Sequence, residues 1–333
     1  MSLLGYTARR VLQGIPVIVG IVTITFLLAN KIPGDPVEIM LAERAADQEL
    51  VRQVRARYGL DKPLWVRYIN YLSGVVQGNL GWSIYYDAPV LTKILQRLPV
   101  TAYLVLSAFA FASVTAIPLG VLSANRRNQP TDHVSRIVAL IGVSTPSFWI
   151  GLMLIITFAY HLGWLPAQGL FLPWESPTEV RGAETQFDVV VTSLKHLILP
   201  MVALGTLQMA SITRIERSSM VDSLQEEYVK LARAFGASER SVLWKDAFRP
   251  AQLPVVTIVG LGLSTALGGS VLIETVFEIN GMGRLIIQAI NTRDYELVMG
   301  TTLMLGVMYV VGVIATDIIY GYIDPRVTYG EQG

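Results

Sequence analysis

Uncharged stretches of bilayer length alternate with shorter polar segments along this chain. No charged residue occurs from Val11 to Asn30, and five further uncharged runs follow: Leu98 to Asn125, Ile137 to Tyr160, Leu197 to Thr213, Pro250 to Ile273 and Leu297 to Thr316. An α-helix rises about 1.5 Å per residue, so about 20 apolar residues span the hydrocarbon core. The pattern predicts six transmembrane helices, of which Leu197 to Thr213 is the shortest and must borrow its polar flanks at the interface. Arg9 and Arg10 before the first run would also suit a secretory signal. That run is longer than a cleavable core, and Lys31-Ile32-Pro33-Gly34-Asp35-Pro36 offers no small-residue cleavage site, so a retained helix is expected.

The polar segments set the organisation. Residues 1–30 carry the first helix, 31–98 form a charged helical segment, 99–323 hold helices two to six with a polar loop at 214–254, and 324–333 are a tail. Arg9, Arg10, Arg126, Arg127, Arg136, Arg214, Arg217 and the basic residues from Lys230 to Arg249 all fall on the side of the N-terminus. The opposite short loops hold only Arg181, Lys195, Arg284 and Arg293. By the positive-inside bias both termini are cytoplasmic and 31–98 is external.

Within 31–98, Asp47 is placed to cap a helix running to Tyr58, with Gly59 as its left-handed stop. Pro63 precedes an apolar stripe of Leu64, Tyr68, Leu72 and Val75. Gly78-Asn79-Leu80-Gly81 reads as a turn, and Pro89 opens an amphipathic helix through Val90, Ile94 and Leu98 that leads into the second crossing. The expected role is a small cap on the membrane face. The segment from His161 to Lys195 lacks periodicity and is expected to be an ordered loop, with Trp164 and Trp174 at the interface.

The loop at 214–254 is the most informative stretch. Leu224, Tyr228, Leu231 and Phe235 recur at helical spacing, Gly236 suits a helix stop at positive φ, and Ser238 suits the cap of the next helix. Leu243 with Ala247 and Trp244 with Phe248 then share faces, and Pro254 starts the return into the membrane. A helical hairpin with a small bend and an apolar stripe suits docking into a groove on another protein. It also suits lying on lipid.

Composition narrows the chemistry. Hydrophobic residues make up 52% of the 333 and charged residues 15%, too little charge to wet the surface of a soluble domain of this length. The absence of cysteine excludes disulfides and thiolate sites. His133, His161 and His196 lack metal-ligand spacing. A net charge of +1 gives no pointer to nucleic acid, and no Gly-x-x-x-x-Gly-Lys-Ser/Thr phosphate loop occurs. No nucleophile, base or metal cluster supports a membrane enzyme. A secondary transporter or channel would want carboxylates at mid-membrane or an inverted repeat, and neither stands out.

Residues 217–254 resemble the coupling loop of ABC importer permeases, where a small residue three or four positions before a glycine is diagnostic; Ala232 and Gly236 match. Lys230 and Leu231 stand where that loop's acidic and first small residues are expected. The resemblance extends over nearly the whole chain to the B-type subunit of dipeptide and oligopeptide permeases. It is carried by Arg9-Arg10, Ile32-Pro33-Gly34-Asp35-Pro36, Gly59-Leu60-Asp61-Lys62-Pro63, Gly78-Asn79-Leu80-Gly81 and Ser144-Thr145-Pro146-Ser147-Phe148-Trp149. Further along it is carried by Glu274-Thr275-Val276-Phe277, Gly281-Met282-Gly283-Arg284, Arg293-Asp294-Tyr295 and Asp324-Pro325-Arg326.

The resemblance implies an all-α membrane protein of the type I ABC importer permease fold in the bacterial inner membrane. It also implies a homologous C-type permease partner, two ATP-binding subunits that hold ATP and Mg, and an extracytoplasmic binding protein that delivers peptides. Relatives by fold and motif carry nickel chelates, glutathione or oligosaccharides instead. The coupling residues it implies are Tyr228, Lys230, Ala232, Arg233, Gly236, Ala237 and Ser238.

Three positions are candidates for a pathway or gate. Gly262, Ala266 and Ser270 fall four apart on the fifth helix and permit close backbone approach, either to another subunit or within this one, and Gly268 and Gly269 soften the same helix. Glu274 is expected near the outer end of that helix, as a ligand for a peptide amine, a gate latch or a plainly solvated carboxylate. Asp317 is expected near the inner end of the sixth, paired with Arg326 or a loop arginine.

Overall fold

The computed structural model describes residues 3–31 and 61–323. The helix expected from Asp47 to Tyr58, the Ile32–Pro36 segment and Asp324-Pro325-Arg326 lie outside the described residues. In chain order the elements are α1 (Leu3–Lys31), α2 (Leu64–Val76), β1 (Trp82–Ser83), β2 (Ala88–Pro89), α3 (Val90–Asn125), α4 (Pro130–Ser144) and α5 (Ser147–Leu154). They continue with α6 (Gln186–Gln225), α7 (Glu227–Ala234), α8 (Phe248–Val276), α9 (Met282–Asn291) and α10 (Tyr295–Ile323). Among the described residues α1, α3, α6 and α10 are long and apolar enough to cross a membrane, and five spans result if α4 and α5, the latter extended by a π-helix over Ile155–His161, together count as one. The 29-residue α8 covers the uncharged run from Pro250 to Ile273.

Three expectations about the elements need correction. The third run is not one straight helix: α4 and α5 meet at 103° around Thr145-Pro146, because proline has no N–H and disfavours helical backbone in the residue before it. Helix α6 is 40 residues long and absorbs both the end of the expected loop at 161–195 and the start of the polar loop as far as Gln225. Thr185 starts it, accepting the Asp188 N–H while Asp188 reciprocates, a capping box that apolar periodicity does not reveal. Finally, α8 is already helical from Phe248, so Pro254 lies inside it rather than at its start.

The core is a helix-on-helix packing in which α6 takes the central place. It runs along α3 over the greatest length and also contacts α8, α4 and α5, while α1 packs on α10. Leu104, Ala108, Ala203, Leu204, Ile273 and Phe277 are fully or almost fully buried between α3, α6 and α8. Helix α1 is peripheral and leaves Leu12, Val17, Ile24 and Leu28 exposed, the composition of a face meant for acyl chains.

Residues 61–89 fold onto the opposite end of the bundle from α7. Pro63 stands just before α2, whose Tyr68, Leu72 and Val75 pack against the cluster of Val90, Ile94 and Leu297, whereas Leu64 stays exposed. A turn with Gly78 at φ 77° and Gly81 at φ 91° leads into a two-stranded antiparallel hairpin pairing Trp82 with Pro89 and Ser83 with Ala88.

Candidate functional site

The polar loop folds as a hairpin at the foot of α6. Its first arm is not the continuous stripe that periodicity predicts. Helix α6 ends at Gln225, Glu226 adopts extended backbone, and α7 begins anew at Glu227. At the far end of α7, the Ala237 N–H reaches the Ala232 carbonyl at 3.1 Å and the Gly236 N–H reaches the Arg233 carbonyl at 3.0 Å. This pair of bonds is a Schellman stop, and it requires the left-handed conformation that Gly236 takes at φ 80°. The four-residue spacing of Ala232 and Gly236 is thus the spacing between an acceptor carbonyl and the residue that turns the chain back toward it. Ser238 immediately caps the next turn by accepting the Ser241 N–H at 3.3 Å, and a π-helix from Val242 to Ala247 continues into α8.

The hairpin is anchored by its base and bare at its tip. Val229, Val242, Leu243 and Ala247 are buried against Met220 and Val121. The Ser223 hydroxyl donates to the Ala247 carbonyl and pairs with the Tyr228 hydroxyl, each at 2.8 Å. Arg233 pairs with Glu239 across the bend at 3.0 Å, and Lys230 with Glu227 along α7 at 2.7 Å. Leu231 and Phe235 are 57% and 83% exposed, and Trp244 packs against Phe248 with half its surface open. Large apolar groups left exposed at the end of a braced hairpin are suited to contact with a partner groove or with lipid.

An ion pair missed by sequence reasoning ties this foot to the rest of the bundle. Arg217 on α6 grips Asp132 in the first turn of α4 with two bonds of 2.5 and 2.7 Å. Asp132 also accepts from the Ser123 hydroxyl at 2.7 Å and the Asn128 N–H at 2.9 Å, and it is fully buried. Immediately before Arg217 on α6, Glu216 is buried too, with the Gln252 amide 3.0 Å from both its oxygens. An acidic residue three positions after an N-cap site was the available signal for Asp132, but its partner lies 85 residues away.

At the other end of α8, Glu274 is fully buried, which removes the plainly solvated alternative. Its carboxylate accepts from the Thr101 hydroxyl at 2.6 Å and the Arg284 N–H at 3.0 Å, and the Gly283 N–H and Ser270 hydroxyl also bond to it. Thr101 in turn accepts the Met282 N–H at 2.7 Å. The first N–H groups of α9 are therefore met by a carboxylate from α8 and a hydroxyl from α3, a satisfied helix N-terminus. A side chain on Gly281 would stand 2.5 Å from both Glu274 and Thr101, which explains the glycine. Ser270 and Ala266 face into the subunit, and Gly262 faces Gln208 and Phe109, so the small-residue face packs within this chain. Asp317 pairs with Arg10 at 3.3 Å, because α1 lies alongside α10 and brings Arg10 to it, while Arg326 lies outside the described residues.

Residues 116–329 match the family described as binding-protein-dependent transport system inner membrane component, and residues 3–107 match its membrane component N-terminal region. The chain is 39% identical over 334 residues to the dipeptide transport system permease protein DppB of Alkalihalophilus pseudofirmus, covering 98% of this chain and 100% of that one. It is 38% identical over 327 residues to the oligopeptide transport system permease protein AppB of Bacillus subtilis, covering 97% and 99%. In fold it is similar to a chain of the inward-facing MetNI methionine ABC transporter, with a TM-score of 0.52 and 17% identity over 70% of this chain and 96% of that one. A helical bundle with a braced, apolar-tipped hairpin, matched over nearly its full length, thus belongs to the binding-protein-dependent transport system inner membrane components.

Proposed function

We propose that this chain is one of two membrane subunits of an ATP-driven importer of dipeptides or oligopeptides. The observation that carries the proposal is the hairpin around Gly236, whose exposed Leu231 and Phe235 are presented on a rigid base for a partner. Two ATP-binding subunits would receive it, and they would hold the ATP and Mg for which this chain has no phosphate loop. A homologous C-type permease completes the path, and an extracytoplasmic binding protein delivers the cargo. The names of the relatives support peptides as that cargo.

In this reading the chain crosses the membrane six times, through α1, α3, the bent α4–α5 pair, α6, α8 and α10. Both termini and the hairpin are cytoplasmic, and residues 31–98 are external, in keeping with the basic residues near the hairpin. Closure of the ATP-bound partners pushes the hairpin, and the helices rock about a central path. Glu274 with Ser270 braces the outer end, and Asp317 with Arg10 the inner end.

The test is uptake of labelled dipeptide by the reconstituted complex of both permeases, both ATPases and the binding protein. Hydrolysable ATP should be required. Uptake driven by a proton or sodium gradient through this chain alone would overturn the proposal, as would a C-terminal tag accessible from outside.

A further inference from the structure

The elbow between α4 and α5 sits in an unusual place for broken backbone. Its depth can be read from its neighbours. Near the end of α4, a side chain on Gly142 would stand 3.0 Å from Ala210 and 3.4 Å from Thr206; early in α5, one on Gly151 would stand 3.6 Å from Ala203. Ser144 to Ser147 therefore lies level with Ala203–Ala210, the middle of the uncharged run Leu197 to Thr213 of α6. At the other end of α4, the Asp132–Arg217 pair fixes its first turn beside the basic end of α6. From there to Ser144 is 12 residues, or about 18 Å of helix, well short of the far side of a bilayer core about 30 Å thick.

Backbone broken at that depth has a solvation problem. The Thr145 N–H still reaches Ile141 at 3.0 Å, and the Trp149 and Ile150 N–H groups reach the Pro146 carbonyl at 3.1 Å. The first N–H groups of α5 have no carbonyl of their own helix to bond. The Ser144 and Ser147 hydroxyls have no hydrogen-bond partner among the described residues. Ser144 is exposed, Ser147 is half-buried, and Phe148 and Trp149 beside them are 40% and 50% exposed. Lipid offers no hydrogen bonds, and each unsatisfied group there costs several kcal/mol, so non-helical backbone at this depth persists only where protein buries it or water wets it. Among the described residues the elbow is at most half-buried.

We infer that the Ser144–Trp149 elbow forms part of the wet wall of the translocation path, with its hydroxyls and free backbone groups available to the main-chain amides of the cargo. The cargo contact rests on the peptide-importer reading; the water contact does not. The aromatic pair Phe148 and Trp149 would give the wall an apolar side, so that one surface meets both the amides and the side chains of short peptides.

Because the chain has no cysteine, single cysteines can be placed without background. Ser144→Cys, Ser147→Cys and, as a neighbouring backup on the same elbow, Phe148→Cys are made in the complete importer in membrane vesicles. They are treated with a charged, membrane-impermeant methanethiosulfonate, and the mass of this chain is read. Val17→Cys on the peripheral face of α1 is the lipid reference. The elbow cysteines should react at least about tenfold faster than Val17→Cys, as wet rather than lipid-facing positions do. Elbow cysteines that assemble and react as slowly as Val17→Cys overturn the inference, even if peptide uptake is intact. Saturating dipeptide should slow labelling at Ser147→Cys. Fast labelling that dipeptide leaves unchanged in a complex that imports dipeptide overturns the cargo contact. Fast labelling in a complex that imports no peptide overturns the peptide reading and upholds the wet wall.

Discussion

The Ser83 hydroxyl donates to the Asp294 carboxylate at 2.6 Å, and this bond joins two segments 211 residues apart. Asp294 is almost fully buried. It also accepts the Tyr85 N–H at 3.1 Å and the Leu297 N–H at 3.2 Å, so it caps α10 and holds the hairpin at once. The Trp82 N–H donates to Glu296 beside it. The hairpin that follows Gly78-Asn79-Leu80-Gly81 and the segment Arg293-Asp294-Tyr295-Glu296 are the two halves of one clasp.

Asp294→Ala should open that clasp. Three donors lose their acceptor in a buried place, a loss of about 2–4 kcal/mol. The detergent-purified variant should melt at lower temperature, and limited proteolysis should cut first between Gly78 and Pro89. Asp294→Asn keeps one acceptor oxygen and should fall between the two.

At Gly236, the structure separates conformation from crowding. A Cβ there would meet nothing within 4 Å in this chain, while φ is 80°. Gly236→Val should weaken co-purification of the ATPases by roughly tenfold, since a β-branched residue is strongly disfavoured at left-handed φ and the strain is of order 1–2 kcal/mol. Gly236→Asn, which tolerates that conformation, should retain most of the binding. Equal loss in both variants would mean that the partner packs against the glycine itself.

For Glu274, four donors around a buried carboxylate predict a bracing role. Glu274→Gln retains one acceptor oxygen and should assemble with stability lowered by about 1–3 kcal/mol, the penalty for an imperfectly paired buried donor. The peptide concentration giving half-maximal uptake should not move. A large rise in that concentration with normal assembly would instead make Glu274 a ligand for the cargo's amine.

The Arg217–Asp132 pair should show strong coupling in a double-mutant cycle. Arg217→Ala leaves a buried carboxylate without its cation and should cost about 3 kcal/mol. Removing Asp132 as well should recover part of that loss, because no uncompensated charge then stays buried. Melting temperatures of the four purified forms give the coupling directly.

Sequence reasoning reached the helices and the hairpin because both rest on local rules. Charge-free length marks a span, and Gly236 and Ser238 announce a stop and a cap. It missed what depends on distant neighbours. Glu274 stands among apolar residues in a way that fits solvation, binding or bracing, and only Thr101 and the start of α9 decide among them. Asp317 could have met any of several arginines, and the packing of α1 on α10 chose Arg10. The bend at Thr145-Pro146 was visible as Ser144-Thr145-Pro146-Ser147, yet the apolar run on both sides masked it. Leu224, Tyr228, Leu231 and Phe235 read as one continuous stripe, which the break at Glu226 interrupts while leaving Leu231 and Phe235 exposed.

Forty residues of unbroken α6 amount to a rod about 60 Å long, so a tilt of about 10° around its middle displaces each end by about 5 Å. Under the proposed coupling, a push at the hairpin would arrive at Gln186 as geometry, with no relay of separate conformational steps between. The softer point on the way is Pro200, whose ring deprives the His196 carbonyl of its usual donor. How far such a stroke would carry beyond that residue depends on the packing that encloses it: Pro200 is buried, and its neighbours Leu197, Leu199, Ala203 and Leu204 are wedged into the main core. Stiffness here comes from what surrounds the rod, and loosening that jacket would turn a lever into a spring.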